Sequence, residues 1–111
     1  FVSPEPPPTA HEAEILDILI EECAEVIQRA TKMKRFGVRE VQPGQKLDNA
    51  ERLSHEIGDV KALIDLAVGA DLADENEISK GYCMKIGQLE RFMQTVPTSC
   101  GREWKTWRGD F

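Results

Sequence analysis

Residues 18–27, Ile18-Leu-Ile-Glu-Glu-Cys-Ala-Glu-Val-Ile27, decide how this chain is read, because acidic groups stand there where an amphipathic helix carries core residues. With Glu22 at zero on a helical wheel of about 100° per residue, Ile18 falls near −40°, Ile15 and Met33 near +20°, Val26 near +40° and Leu19 near +60°. Leu16, Ile20, Cys23 and Ile27 carry the apolar arc on to about +160°. Glu22 therefore lies inside the arc, Glu25 on its edge near −60°, and Glu21 points outward near −100°. This reading turns two carboxylates toward the core.

The same geometry recurs downstream. With Glu56 at zero, Leu53, Ile57, Val60, Leu63, Ile64 and Ala67 span about −20° to +100°, and Asp59 sits near −60°. Each helix thus carries an i, i+3 acidic pair on one face. Side by side, the two helices bring Glu22, Glu25, Glu56 and Asp59 together. Four negative charges in a pocket of low dielectric need counter-charge.

Ligand chemistry narrows the counter-ion. Neither His nor Cys stands at zinc-ligand spacing, and a di-iron bundle would want Glu-x-x-His where this chain has Glu56-x-x-Asp59. All-oxygen ligation suggests Mg²⁺, with Mn²⁺ as a substitute. Bound Mg²⁺ engages phosphates as well as carboxylates, which points to nucleotides.

The chain has 111 residues and a formal net charge of −6. That length suits one domain, and the charge argues against a nucleic-acid polymer as partner. No run is long enough to span a membrane and no leader opens the chain, so the expectation is a soluble cytoplasmic protein. Cys23, Cys83 and Cys100 form no Cys-x-x-Cys pair and read as reduced thiols, with Cys23 a small buried hydrophobe.

Outward from the acidic stretch, the expected class is all-α, a small antiparallel helical bundle completed by oligomerisation. Residues 1–9, with four prolines between Pro4 and Pro8, read as an extended arm. Thr9 and Glu12, Asp48 and Glu51, and Asp74 and Glu77 have capping-box spacing. They predict helices over 10–36, 49–72 and 75–95, with a loop at 37–46 and Pro97 ending the third. Ile78, Tyr82, Ile86, Leu89, Met93 and Val96 make one apolar stripe on that third helix. The bundle domain is set at 10–96. Residues 97–111 read as an aromatic tail whose Trp104, Trp107 and Phe111 cover the bundle or stack on bases. The apolar arc of the first helix, about 200° wide, exceeds what one neighbour covers, so a homodimer or homotetramer is expected.

Glu21-Glu22-Cys23-Ala24-Glu25 followed by Glu56-Ile57-Gly58-Asp59 resembles the Glu-Glu-x-x-Glu and Glu-x-x-Asp signature of the MazG-like all-α nucleoside triphosphate pyrophosphohydrolases. The resemblance extends over residues 15–92, and the thirty residues between Glu25 and Glu56 are long for that signature. It implies Mg²⁺-dependent cleavage of standard or modified nucleoside triphosphates to monophosphate and pyrophosphate. Glu22, Glu25, Glu56 and Asp59 are then the metal ligands and catalytic carboxylates.

Phosphates also require cations. Lys85, on the edge of the third apolar stripe, is the first candidate, with Lys80 turned outward. Arg29 and Arg52 follow, each one turn from an acid and equally suited to an i, i+4 salt bridge. Lys32 and Asn49 lie near the opening, where Asn49 could read a base edge or sugar. His11 and His55 are expected on the surface. Two other classes stay open: a non-catalytic helical interaction module with a structural metal, and a carboxylate-bridged iron protein.

Overall fold

Three side chains close the first turns of three helices. Thr9 Oγ1 accepts from the Glu12 amide while the Glu12 carboxylate accepts from the Thr9 amide, opening α1, Ala10–Phe36. Asp48 and Glu51 repeat the reciprocal pair at the head of α2, Asn49–Gly69. Asp74 caps α3, Glu75–Phe92, but the Glu77 carboxylate takes the Lys80 ammonium at 3.0 Å, so that cap is one-sided. Each cap satisfies amides that the first helical turn leaves unpaired.

The structure is a computed structural model and describes residues 4–95; the Pro97 stop, Val96, Cys100 and the aromatic tail lie outside the described residues. Among the described residues the protein is all-helical and without strands. Residues 4–9 are exposed and carry no regular structure, as their prolines require. The chain divides into two compact units between Ala73 and Asp74.

In the first unit α1 and α2 pair as an antiparallel hairpin. Gly37, at φ 113, ends α1 in a conformation that favours glycine, and its amide returns to the Met33 carbonyl at 2.9 Å. Gln42-Pro43-Gly44-Gln45 then forms a turn closed at 2.9 Å, with Gly44 at φ 81 where a type II turn needs a positive φ. Amides of Asn49 and Ala50 donate to the carbonyls of Glu40 and Val38 at 3.0 and 3.1 Å, joining the loop to the head of α2. Ile15 and Ala67 are the buried apolar residues of this unit.

Two helix ends differ from the sequence reading. α2 stops at Gly69 instead of residue 72, because the Leu72 amide reaches the Ala67 carbonyl at 2.9 Å and the Asp71 amide reaches Val68 at 3.1 Å. That is a Schellman motif with Asp71, at φ 60, in the left-handed position that glycine usually takes. Gly69 stands two residues too early to supply it. Asp71→Gly is expected to raise stability by about 0.5–1 kcal/mol, read as a higher urea midpoint at unchanged slope. α3 stops at Phe92 and turns extended at Met93, three residues before the predicted end. Thr95 and Val96 are weak helix formers, and the residue before a proline avoids the helical region.

The core is also thinner than the wheels imply. Glu25 is exposed, as are Ile20 and Ile27, so the arc on α1 is only partly covered. One neighbouring helix covers one stripe, and α1 has apolar residues well beyond it. In the second unit Ile86 is buried, whereas Ile78 and Met93 of the expected stripe are exposed.

Candidate functional site

Antiparallel pairing sets the middle of α1 against the middle of α2, and three of the four expected carboxylates meet there. One ligand oxygen from each of Glu22, Glu56 and Asp59 lies within 4.8 Å of the others. Glu22 and Glu56 are half-buried; Asp59 is exposed at the mouth. Opposite oxygens stand roughly 4 Å apart around Mg²⁺ and roughly 5 Å around Ca²⁺, so this spacing suits a hard divalent ion. Glu25, one turn beyond Glu22 on α1, is exposed and outside the group of three.

The charges act on Glu22 most. Burial first, then the carboxylates of Asp59, Glu56, Glu25 and Glu21, raise its carboxyl above the ordinary 4.5 of a glutamate. Because the folded state holds this proton more tightly than the unfolded chain, the contribution of Glu22 to folding stability is fully present below pH 4.5 and is lost as pH rises through the raised folded value. A divalent ion competes with the same proton. Without added metal, the melting temperature of the parent relative to a Glu22→Gln variant is therefore expected to fall on going from pH 4.5 toward neutrality, and metal titrations in that interval should release protons, seen as buffer-dependent heats in calorimetry. A flat profile would remove Glu22 from the site.

The cationic candidates separate. Arg29 is 5% exposed, and its Nε and Nη1 have no hydrogen-bond partner. No ion pair between Arg29 and Glu25 forms among the described residues. Arg52 likewise does not pair with Glu56; its Nη1 donates to Gln42 Oε1 at 2.6 Å. Asn49 is fully buried, and its Nδ2 donates to the Gly37 carbonyl at 2.9 Å and to Glu40 Oε1 at 3.0 Å. Lys32 is half-buried on the last turns of α1. Lys85 is exposed on α3, in the second unit, and Lys80 is exposed as expected.

Glu40 and Gln42 escaped the sequence reading. They lie in a loop marked by Pro43 and Gly44, and only the folded turn shows that their side chains reach back to α2. His11 and His55 are on the surface as expected. Cys23 departs from expectation. It is exposed and lines an apolar groove of about 500 Å³ with Val26, Ile27, Ile57, Val60 and Ile64, because no third layer of this unit covers that face.

No family model, curated protein or solved structure compared with the chain matches it. No helix among the described residues is long and apolar enough to cross a membrane.

Proposed function

We propose that this chain is a Mg²⁺-dependent nucleoside triphosphate pyrophosphohydrolase of the MazG-like kind, releasing monophosphate and pyrophosphate from standard or modified nucleotides. The observation that carries the reading is the convergence of Glu22, Glu56 and Asp59 within 4.8 Å from two helices. A pure scaffold gains nothing from like charges held that close. The Glu-Glu-x-x-Glu and Glu-x-x-Asp motifs that the sequence carries lend the reaction class.

Glu22, Glu56 and Asp59 hold the ion, for which Mn²⁺ can substitute. When bound, the ion neutralises phosphate charge and acidifies a water. Glu25, outside the three and open to solvent, is the carboxylate left to take a proton from the attacking water. Its oxygen joins phosphorus, the bridge between the α- and β-phosphates breaks, and the bridging electron pair leaves with one fragment.

The exposed apolar groove on the first unit supports self-association as a dimer or tetramer, measurable by sedimentation. Activity is tested by incubating the protein with Mg²⁺ and a nucleotide panel and detecting pyrophosphate. Release from at least one nucleotide, abolished by chelator, is expected. No release from any of them at high protein concentration would overturn the reading.

A further inference from the structure

Leu16, Ile20, Cys23, Ile27, Ala30 and Lys34 follow one another along α1 at alternating steps of four and three, the spacing of a coiled-coil seam. On the wheel with Glu22 at zero they run from about +80° to +160°, turned away from the acids. Ile20 is 65% and Ile27 67% exposed, and Cys23 between them is exposed too. α2 widens this stripe instead of covering it, since Ile57, Val60 and Ile64 line the same groove as Cys23 and Ile27. Burying a side chain as apolar as isoleucine stabilises by about 1.5–3 kcal/mol, and here two of them stand in the open one heptad apart.

The charges of α1 decide what fits there. Six acids, Glu12, Glu14, Asp17, Glu21, Glu22 and Glu25, occupy its first part without a lysine or arginine among them, and Arg29, Lys32, Lys34 and Arg35 occupy the rest without an acid. The helix dipole accounts for Glu12, Lys34 and Arg35, which stand in the end turns, and its reach stops there. About Cys23 the pattern is antisymmetric: 11 residues either side stand Glu12 and Lys34, 9 either side Glu14 and Lys32, and 6 either side Asp17 and Arg29. A second α1 running the opposite way, Cys23 beside Cys23, therefore sets acid against cation at each of these levels. Glu12 and Lys34 lie on the stripe itself, near +80° and +120°, whereas the other two pairs lie off it and act through the field. A parallel α1 would lay acids on acids.

We propose that the groove is the contact face for a second copy of this chain, packed with the two α1 helices antiparallel and the two-fold axis beside Cys23. Two hairpins laid face to face are related by an axis along the helices or by one across them. The first gathers both basic ends of α1 at one end of the pair; the second sends them to opposite ends, each over the partner's acids. Charge selects the second. The contact is isologous, so it closes at two copies. Glu25 and Asp59, near −60° on their wheels, are turned away from the groove and stay open to solvent when it is covered. This fixes a face and a direction for the self-association proposed above and does not depend on the hydrolase reading.

Two variants of the full chain, each with Cys23→Ser, Cys83→Ser and Cys100→Ser, test the direction when one also carries Ala13→Cys and the other Ala30→Cys. Both sites belong to the stripe and lie about 25 Å apart along one helix. Treated with a short bismaleimide, the mixture is expected to give the cross-link of one variant to the other, while either variant alone gives none. Sedimentation of the parent should show a dimer. Ile27→Glu, which charges the middle of the stripe without touching the interior, should weaken association at least about 10-fold at unchanged circular dichroism. Cross-links within each variant, or none in the mixture, would overturn the proposal. So would a parent that is monomeric at every concentration, which leaves the groove to another segment of the same chain, or Ile27→Glu associating as tightly as the parent. Pyrophosphate release from a monomeric parent overturns this inference alone; a dimer of this direction that releases none overturns the hydrolase alone.

Discussion

Exchanging Glu22 for Gln is expected to cut metal-dependent pyrophosphate release by more than about 100-fold, with Glu56→Gln and Asp59→Asn behaving alike. Residues that merely orient metal ligands cost 10–100-fold when removed, and these three carry ligand oxygens themselves. The loss should have a counterpart that ordinary damage does not produce. Glu22 is the group that burial and four neighbouring carboxylates disfavour in its charged form, so Glu22→Gln relieves the metal-free protein. Its melting temperature at pH 7 without metal should match or exceed that of the parent. Added Mg²⁺ should raise the melting temperature of the parent and leave that of the variant where it was. Full turnover in all three variants, or a metal-induced rise that survives in them, would show that the three oxygens meet for another reason.

Asn49→Ala is expected to be the most destabilising single change in the first unit, by about 2–3 kcal/mol and roughly 10 °C in melting temperature. Asn49 is fully buried, and its Nδ2 holds both the Gly37 carbonyl and the Glu40 carboxylate. Truncation leaves a small void and two acceptors without their donor. Asn49→Asp is the sharper test. It preserves shape but turns an acceptor toward those two acceptors, so it should be at least as damaging at pH 7 and partly recover in acid. Equal stability of all three proteins in chemical denaturation would mean that the loop is held by its backbone bonds alone.

The helices were legible in the sequence where local chemistry decides them. Thr9 with Glu12 and Asp48 with Glu51 mark two starts without error, because a cap is a contact between residues three apart. Ends were less legible. The left-handed turn at Asp71 gives no warning in a pattern that contains Gly69 two residues earlier. Of the candidate site, Glu22, Glu56 and Asp59 were readable from periodicity, since one axis and one register suffice to bring them together. The wheel could not show that Glu25 and Cys23 remain exposed, because it ranks faces and does not count the neighbours available to cover them. Nor could it reach Arg52 and Asn49, whose partners Gln42 and Glu40 come from an irregular loop that follows no period.

The α1–α2 hairpin is tied by hydrogen bonds at the loop end and by apolar packing at the other, where Ile15 and Ala67 are buried. Its cross-links, from Asn49, Ala50 and Arg52 to residues 37–42, all gather beside the loop. Among the described residues no hydrogen bond or ion pair bridges the helices at the level of Glu22 and Glu56. Such an arrangement works like a bridge span held at both abutments, with the acids of Glu22, Glu56 and Asp59 at its unbraced middle. An ion larger than magnesium should then be accommodated by rotation of the three carboxylates and not by parting of the helices, leaving selectivity to dehydration and charge.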